Sequence, residues 1–151
     1  MLEEKTNKFL GEVKKAKAAE EMGFRDEALK RILSYGRSLS PMPEEQKTAE
    51  SRVTKCMSDV YVAGKPVGGL MQYIADSSSV FVKGELYMIL ELLNGLAPQD
   101  ILLGETKREV DSFFAELQKY APISMARQQG FEGIFERMAK IASRYLPMEG
   151  Y

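Results

Sequence analysis

Val60-Tyr61-Val62-Ala63-Gly64-Lys65-Pro66-Val67-Gly68-Gly69-Leu70-Met71-Gln72-Tyr73-Ile74 is the stretch where the apolar period of this chain changes from 3.6 to 2. Val60 and Val62 alternate with Tyr61, and Leu70, Gln72 and Ile74 alternate with Met71 and Tyr73. Between the two runs lie residues 64–69, the strongest turn signal in the sequence. The pattern predicts an antiparallel hairpin, preceded by a short strand near Arg52. Cys56 then falls in the link between two short strands, at or near a sheet edge, where a rigid frame can present a reactive side chain.

Outward from the hairpin the period is helical. Phe9, Leu10, Val13, Ala16 and Met22 lie on a narrow stripe that predicts a helix over 3–22. Ala28, Leu29, Ile32, Leu33 and Tyr35 predict a second over about 25–38, with Gly36 helping to end it. Pro41 and Pro43 force a loop. After Asp76-Ser77-Ser78-Ser79, any of which can cap a helix, Val80 to Leu93 is apolar on several sides and reads as the central buried helix, stopped by Asn94-Gly95. Gly84 inside it costs roughly 1 kcal/mol relative to alanine, which points to close packing against another backbone. Pro98 opens one short helical turn. Val110, Phe113, Phe114, Leu117 and Tyr120 mark a further helix, and Phe131, Ile134, Phe135, Met138, Ile141 and Tyr145 a last one over about 126–145. Helices, then a small antiparallel sheet, then helices make an α+β layer with one sheet face covered.

Composition bounds the function. At 151 residues, with no repeats or linker-like stretches, residues 1–151 read as a single domain. Such a chain buries about 68–70% of its unfolded surface and needs no metal or disulfide to hold a core. A net charge of −1 argues against nucleic acid as a partner, and no apolar run approaches the roughly 18 residues of a membrane span. The start Met1-Leu2-Glu3-Glu4-Lys5 reads as neither a signal nor a transit peptide. One cysteine and no histidine exclude an internal disulfide, a Cys–His catalytic pair and a Cys/His zinc site. Cys56 is therefore a packing thiol, or a thiol that works alone by accepting and handing on a group covalently. Free cysteine is common in cores, so packing is the first expectation from composition alone. An unprotected thiol suits a reducing, intracellular compartment.

The surroundings of Cys56 shift that balance. Ser51-Arg52-Val53-Thr54-Lys55-Cys56-Met57-Ser58-Asp59, the hairpin ending in Asp76-Ser77, Val82-Lys83-Gly84, Leu96-Ala97-Pro98-Gln99-Asp100-Ile101-Leu102 and Ser124-Met125-Ala126-Arg127-Gln128-Gln129-Gly130 come in an order and spacing that resemble the SufE family of cysteine-desulfuration proteins. The likeness runs from about Ile32 to Ala142. Lys55, Met57 and Asp59 stand where that family usually has Gly before the cysteine and Gln on either side of the following serine. Of the later Ser-Pro-Ser-Arg-x-Asn-Gly pattern, Ser124, Arg127 and Gly130 remain.

The resemblance implies a three-stranded antiparallel sheet packed against helices. It also implies a sulfur acceptor that activates a pyridoxal-phosphate cysteine desulfurase and feeds an iron–sulfur scaffold. Cys56 would carry the persulfide and Arg127 would stabilise its thiolate. Arg52, Lys55, Ser58, Asp76, Ser77, Lys83, Ser124 and Gly130 are the candidates for partner contact. The chain itself would hold no cofactor and no metal, since pyridoxal phosphate belongs to the partner. The compartment implied is the cytoplasm of a bacterium, or a plastid or mitochondrion once a targeting segment is removed. Several positions have a plainer reading as well: Lys55 as a solvated surface cation, Asp76 and Ser77 as helix caps, Lys83 as an ion-pair partner of Asp76 or a solvated cation. The alternative function is an adaptor that binds the desulfurase without carrying sulfur. A self-standing thiol hydrolase lacks a base, and an iron–sulfur scaffold lacks ligands.

Overall fold

A computed structural model describes residues 2–54, 59–121 and 125–147, with side chains of the last segment described from 131 onward. The helices are α1 (Glu3–Glu21), α2 (Glu27–Arg37), α3 (Val80–Leu93), α4 (Pro98–Ile101), α5 (Gly104–Leu117) and α6 (Met125–Ser143), with a single 3₁₀ turn over Glu44–Gln46. The hairpin consists of β1 (Val60–Val67) and β2 (Leu70–Ser77). No helix among the described residues is long and apolar enough to cross a membrane.

The turn is tighter than residues 64–69. Only Gly68 and Gly69 leave the ladder, with φ of 60° and 83°. Two consecutive positive φ values suit the twist of a two-residue hairpin, and glycine adopts them without a Cβ clash. Lys65, Pro66 and Val67 therefore extend β1 and pair with Gln72, Met71 and Leu70. Proline is tolerated because of its phase. Val62 N–H points away from β2, to Ser51 O, and Met71 N–H points away from β1, to Leu96 O. Pro66 shares the outward phase of Val62, so its missing N–H removes no bond of the ladder.

Among the described residues the sheet has two strands, not three. The expected strand near Arg52 contracts to one bridge, Arg52 to Tyr61. Ser51 and Thr48 turn the chain locally: Ser51 Oγ donates to Gln46 O at 2.7 Å and accepts from Thr48 N–H at 2.9 Å. Those bonds bend the backbone out of strand geometry just before it reaches β1. The bonds Val53 N–H to Val60 O and Val62 N–H to Ser51 O still hold this segment against the hairpin, both at 2.8 Å.

Val60, Val62, Met71, Tyr73 and Ala75 form the buried face of the hairpin. α3 is the central element, with Leu86, Met88, Ile89, Leu92 and Leu93 fully buried. Its N-terminus is capped by Ser79, whose Oγ accepts from Val82 N–H. Asp76 and Ser77 precede the cap. α2 crosses α3 where both helices carry glycine. A Cβ on Gly84 would lie 2.2 Å from Ile32 O, and one on Gly36 would lie 3.0 Å from Gly84 N. Gly36 is thus an interior contact residue of α2 rather than its terminator. Not every stripe residue is core: Met22 is 79% exposed and Tyr145 43%. Both follow the last helical residue of their segment.

Gly84→Ala should destabilise the fold by roughly 1–3 kcal/mol, because overpacking against a backbone carbonyl outweighs the gain in helix propensity. The urea midpoint should fall with an unchanged m-value.

Candidate functional site

The segment carrying Cys56 leaves and re-enters the described structure at Thr54 and Asp59. Both stems are anchored. The leading stem is held by the two Ser51–Val62 and Val53–Val60 backbone bonds. The trailing stem is held through Asp59, whose Oδ1 accepts from the backbone N–H and the hydroxyl of Ser78. The Ser78 hydroxyl bond is the main reason that the Asp59 carboxyl lies below the usual aspartate range, although burial opposes it. Asp59 stands in one of the positions that depart from the family pattern, and here it ties the cysteine segment to the turn before α3.

Cys56, Lys55, Ser58 and Ser124 lie outside the described residues. Arg127 and Gly130 fall in the first turns of α6, and their side-chain surroundings also lie outside the description. The expected approach of Arg127 to the cysteine remains an expectation. Arg52 is exposed beside the leading stem and bridges Tyr61.

Asp76 and Ser77, expected as partner contacts, are 5% and 4% exposed. Their polar atoms are engaged within the fold. Asp76 Oδ2 accepts from Met42 N–H at 3.1 Å and lies 3.5 Å from Lys47 Nζ. Its Oδ1 accepts from Ser77 N–H at 2.8 Å and lies 3.9 Å from Lys83 Nζ. The pairing of Lys83 with Asp76 is as the plainer reading had it. A buried carboxylate needs such partners, since an unpaired charge there would be costly. Lys47 also bonds Glu44, which is the largest of the causes raising its pKa. Asp76 therefore fastens the loop that precedes the cysteine segment onto the far end of the hairpin.

A second fastening escaped sequence reasoning. Gly64 lies opposite Tyr73, and a Cβ there would meet the tyrosine ring at 2.5 Å. The vacant space lets the ring lie across β1, so that its hydroxyl donates to Met138 O of α6 at 2.7 Å. Burial pushes the Tyr73 phenol up, which keeps it a neutral donor. The adjacent Arg137 donates to the carbonyl of Glu50, just ahead of the cysteine stem. The one available signal was a glycine facing an aromatic across a hairpin, hidden by reading residue 64 as turn. Arg137 gave none, because an arginine in a helix is ordinary.

Two clefts flank the leading stem and share Arg137. One, of roughly 170 Å³, is lined by Val53, Thr54, Gly133, Glu136, Arg137 and Lys140. The other, of roughly 240 Å³, includes Ser51, Val62, Gly64, Ile141 and Arg144. A larger hollow between α1 and α5, roughly 510 Å³, carries Glu3, Glu105, Glu109 and Glu116 and lies apart from the cysteine stems in sequence and on other elements. No group of three or more metal-ligating side chains occurs among the described residues.

Residues 14–142 match the SufE family, described as an Fe-S metabolism associated domain, and the chain belongs to it. An uncharacterized SufE-like protein of Synechocystis sp. is 33% identical over 107 residues, 71% of this chain. The matched stretch spans 64% of that relative. A solution structure of a hypothetical protein from Thermus thermophilus is similar in fold, with a TM-score of 0.61 and 20% identity, covering 88% of this chain and 94% of that one.

Asp76→Ala should lower stability by roughly 1–3 kcal/mol, because the Met42 amide and two lysines lose their acceptor. Amide exchange at Met42 should accelerate more than at core positions of α3. Acidification should loosen the trailing stem. A depressed folded-state pKa gives Asp59 a contribution that is full above its unfolded value and lost as pH falls through the folded one. Exchange at the Ser78 amide, followed below the ordinary aspartate range, should therefore rise in wild type. Asp59→Asn should remove that pH step.

Proposed function

We propose that this chain accepts sulfane sulfur on Cys56 from a pyridoxal-phosphate cysteine desulfurase, activating that enzyme and passing the sulfur toward iron–sulfur cluster assembly. The observation that carries the reading is the double anchoring around the Cys56 segment, by backbone bonds on one side and the Asp59–Ser78 contact on the other, within a SufE-family chain. A sequence with one thiol and no histidine adds support, because sulfur acceptance requires a single accessible thiolate and no metal or base dyad.

The step is an exchange at sulfur. The Cys56 thiol gives its proton to solvent, and the thiolate attacks the terminal sulfur of the donor's persulfide. A bond forms between Cys56 Sγ and that sulfur while the donor's S–S bond breaks. The donor cysteine leaves as a thiolate and is reprotonated. The acceptor becomes a persulfide and the donor a thiol, with no external oxidant or reductant. Positive charge near the thiolate assists the attack, and Arg52, Lys55 and Arg127 are the residues to which the reading assigns that task. Pyridoxal phosphate stays with the donor. Without sulfur transfer, the same binding would describe an adaptor.

Cys56→Ser should leave the unfolding transition within about 0.5 kcal/mol of wild type if the site lies at the surface. Stimulation of cysteine turnover by the desulfurase should disappear. Serine is a poor nucleophile at neutral pH and cannot hold the transferred sulfur. After incubation with desulfurase and cysteine, mass spectrometry should find one added sulfur atom on the wild-type Cys56 peptide. Equal stimulation by wild type and C56S would overturn the acceptor role and leave the adaptor.

A further inference from the structure

We propose that the groove between the segment leading to Cys56 and α6 is a docking surface for an acidic segment of the sulfur-donor protein. The proposal deepens the acceptor reading and rests on it for the partner's identity. The two clefts that share Arg137 run along this segment from Thr54, two residues before Cys56 in sequence, to Gly64 and Arg144. Arg137 and Lys140 stand at i and i+3 on one face of α6, and Arg144 lies in the turn that follows its last residue, Ser143.

Their charges are unevenly used. Arg137 reaches the Glu50 carbonyl, which leaves its positive charge without neutralisation by that bond. Lys140 and Arg144 are exposed and form no ion pair among the described residues. Some lysines elsewhere do pair with a carboxylate three or four positions away, as in Lys17–Glu20, Lys30–Glu27 and Lys107–Asp111. Glu136, which has an interaction of its own, and Glu50 also line the groove, so three cations face two carboxylates. The hollow between α1 and α5 carries the opposite sign, with four glutamates against Arg108. The chain as a whole has a net charge of −1, so the basic groove is a local departure that matches an acidic partner rather than a general attraction to polyanions. A partner guided along it would arrive with its reacting sulfur at the cysteine segment.

The test is calorimetric titration of a purified pyridoxal-phosphate cysteine desulfurase with wild type, K140E/R144E, the milder K140Q/R144Q and the control E105K, at low and high salt. The double reversal should weaken binding on the order of tenfold at low salt and flatten the salt dependence. The neutral pair should weaken it by less, and E105K should leave it unchanged. Labelling of Cys56 by iodoacetamide should stay at the wild-type rate in all variants. Unchanged affinity in K140E/R144E, or equal loss in E105K, would overturn the docking surface. So would failure of the wild type to bind, or a loss of affinity confined to duplex DNA offered in parallel. If the wild type binds through this groove yet gains no sulfur, the acceptor reading fails while the docking surface stands.

Discussion

Tyr73 lying across Gly64 to reach the carbonyl of Met138 adds a buried hydrogen bond to the packing of the last helix against β1. Its geometry admits one solution. The ring can cross β1 only where β1 has no side chain, and the hydroxyl can be buried only where a partner awaits it. Met138 is fully buried, so its carbonyl faces the ring from a fixed position in the core. Once that distance is set, the preceding residue, Arg137, comes within reach of Glu50, and α6 becomes one wall of the channel beside the cysteine stem.

The glycine contacts between α2 and α3 play the complementary part. They bring two backbones so close that α3 is enclosed by α2 on one side and β2 on another. An enclosed α3 fixes the turn at its N-terminus, and with it Ser78 and Asp76, the groups to which both approaches to the cysteine are fastened. The two stems that flank residues 55–58 are thus supported by interior elements.

The departures from the family pattern acquire a physical sense at one position. Asp59, one of the departures expected from the resemblance, forms a charge-assisted pair of bonds to Ser78. It tightens the trailing stem while placing a negative charge three residues from the thiol. The groove on the other stem supplies cations instead.

Helix positions were legible in the sequence because they depend on local period and punctuation. The bounds of α3, the single turn at Pro98 and the hairpin itself follow from residues that sit next to one another in the chain. So did the close approach at Gly84, since a glycine inside an otherwise strong helix has few other reasons to be there. The third strand was not legible, because Ser51 diverts its hydrogen bonds into a turn, and nothing in residues 51–54 distinguishes a strand from a bridge. The length of the turn was misread for a similar reason: Pro66 is permitted in β1 only because its nitrogen faces outward, and phase is a property of the paired strands. Tertiary structure alone decided that Asp76 faces inward, that Tyr73 reaches α6, and that the cations of α6 line up beside the cysteine stem. Each of these joins residues more than thirty positions apart, and a distance of that kind is set by packing rather than by neighbouring residues.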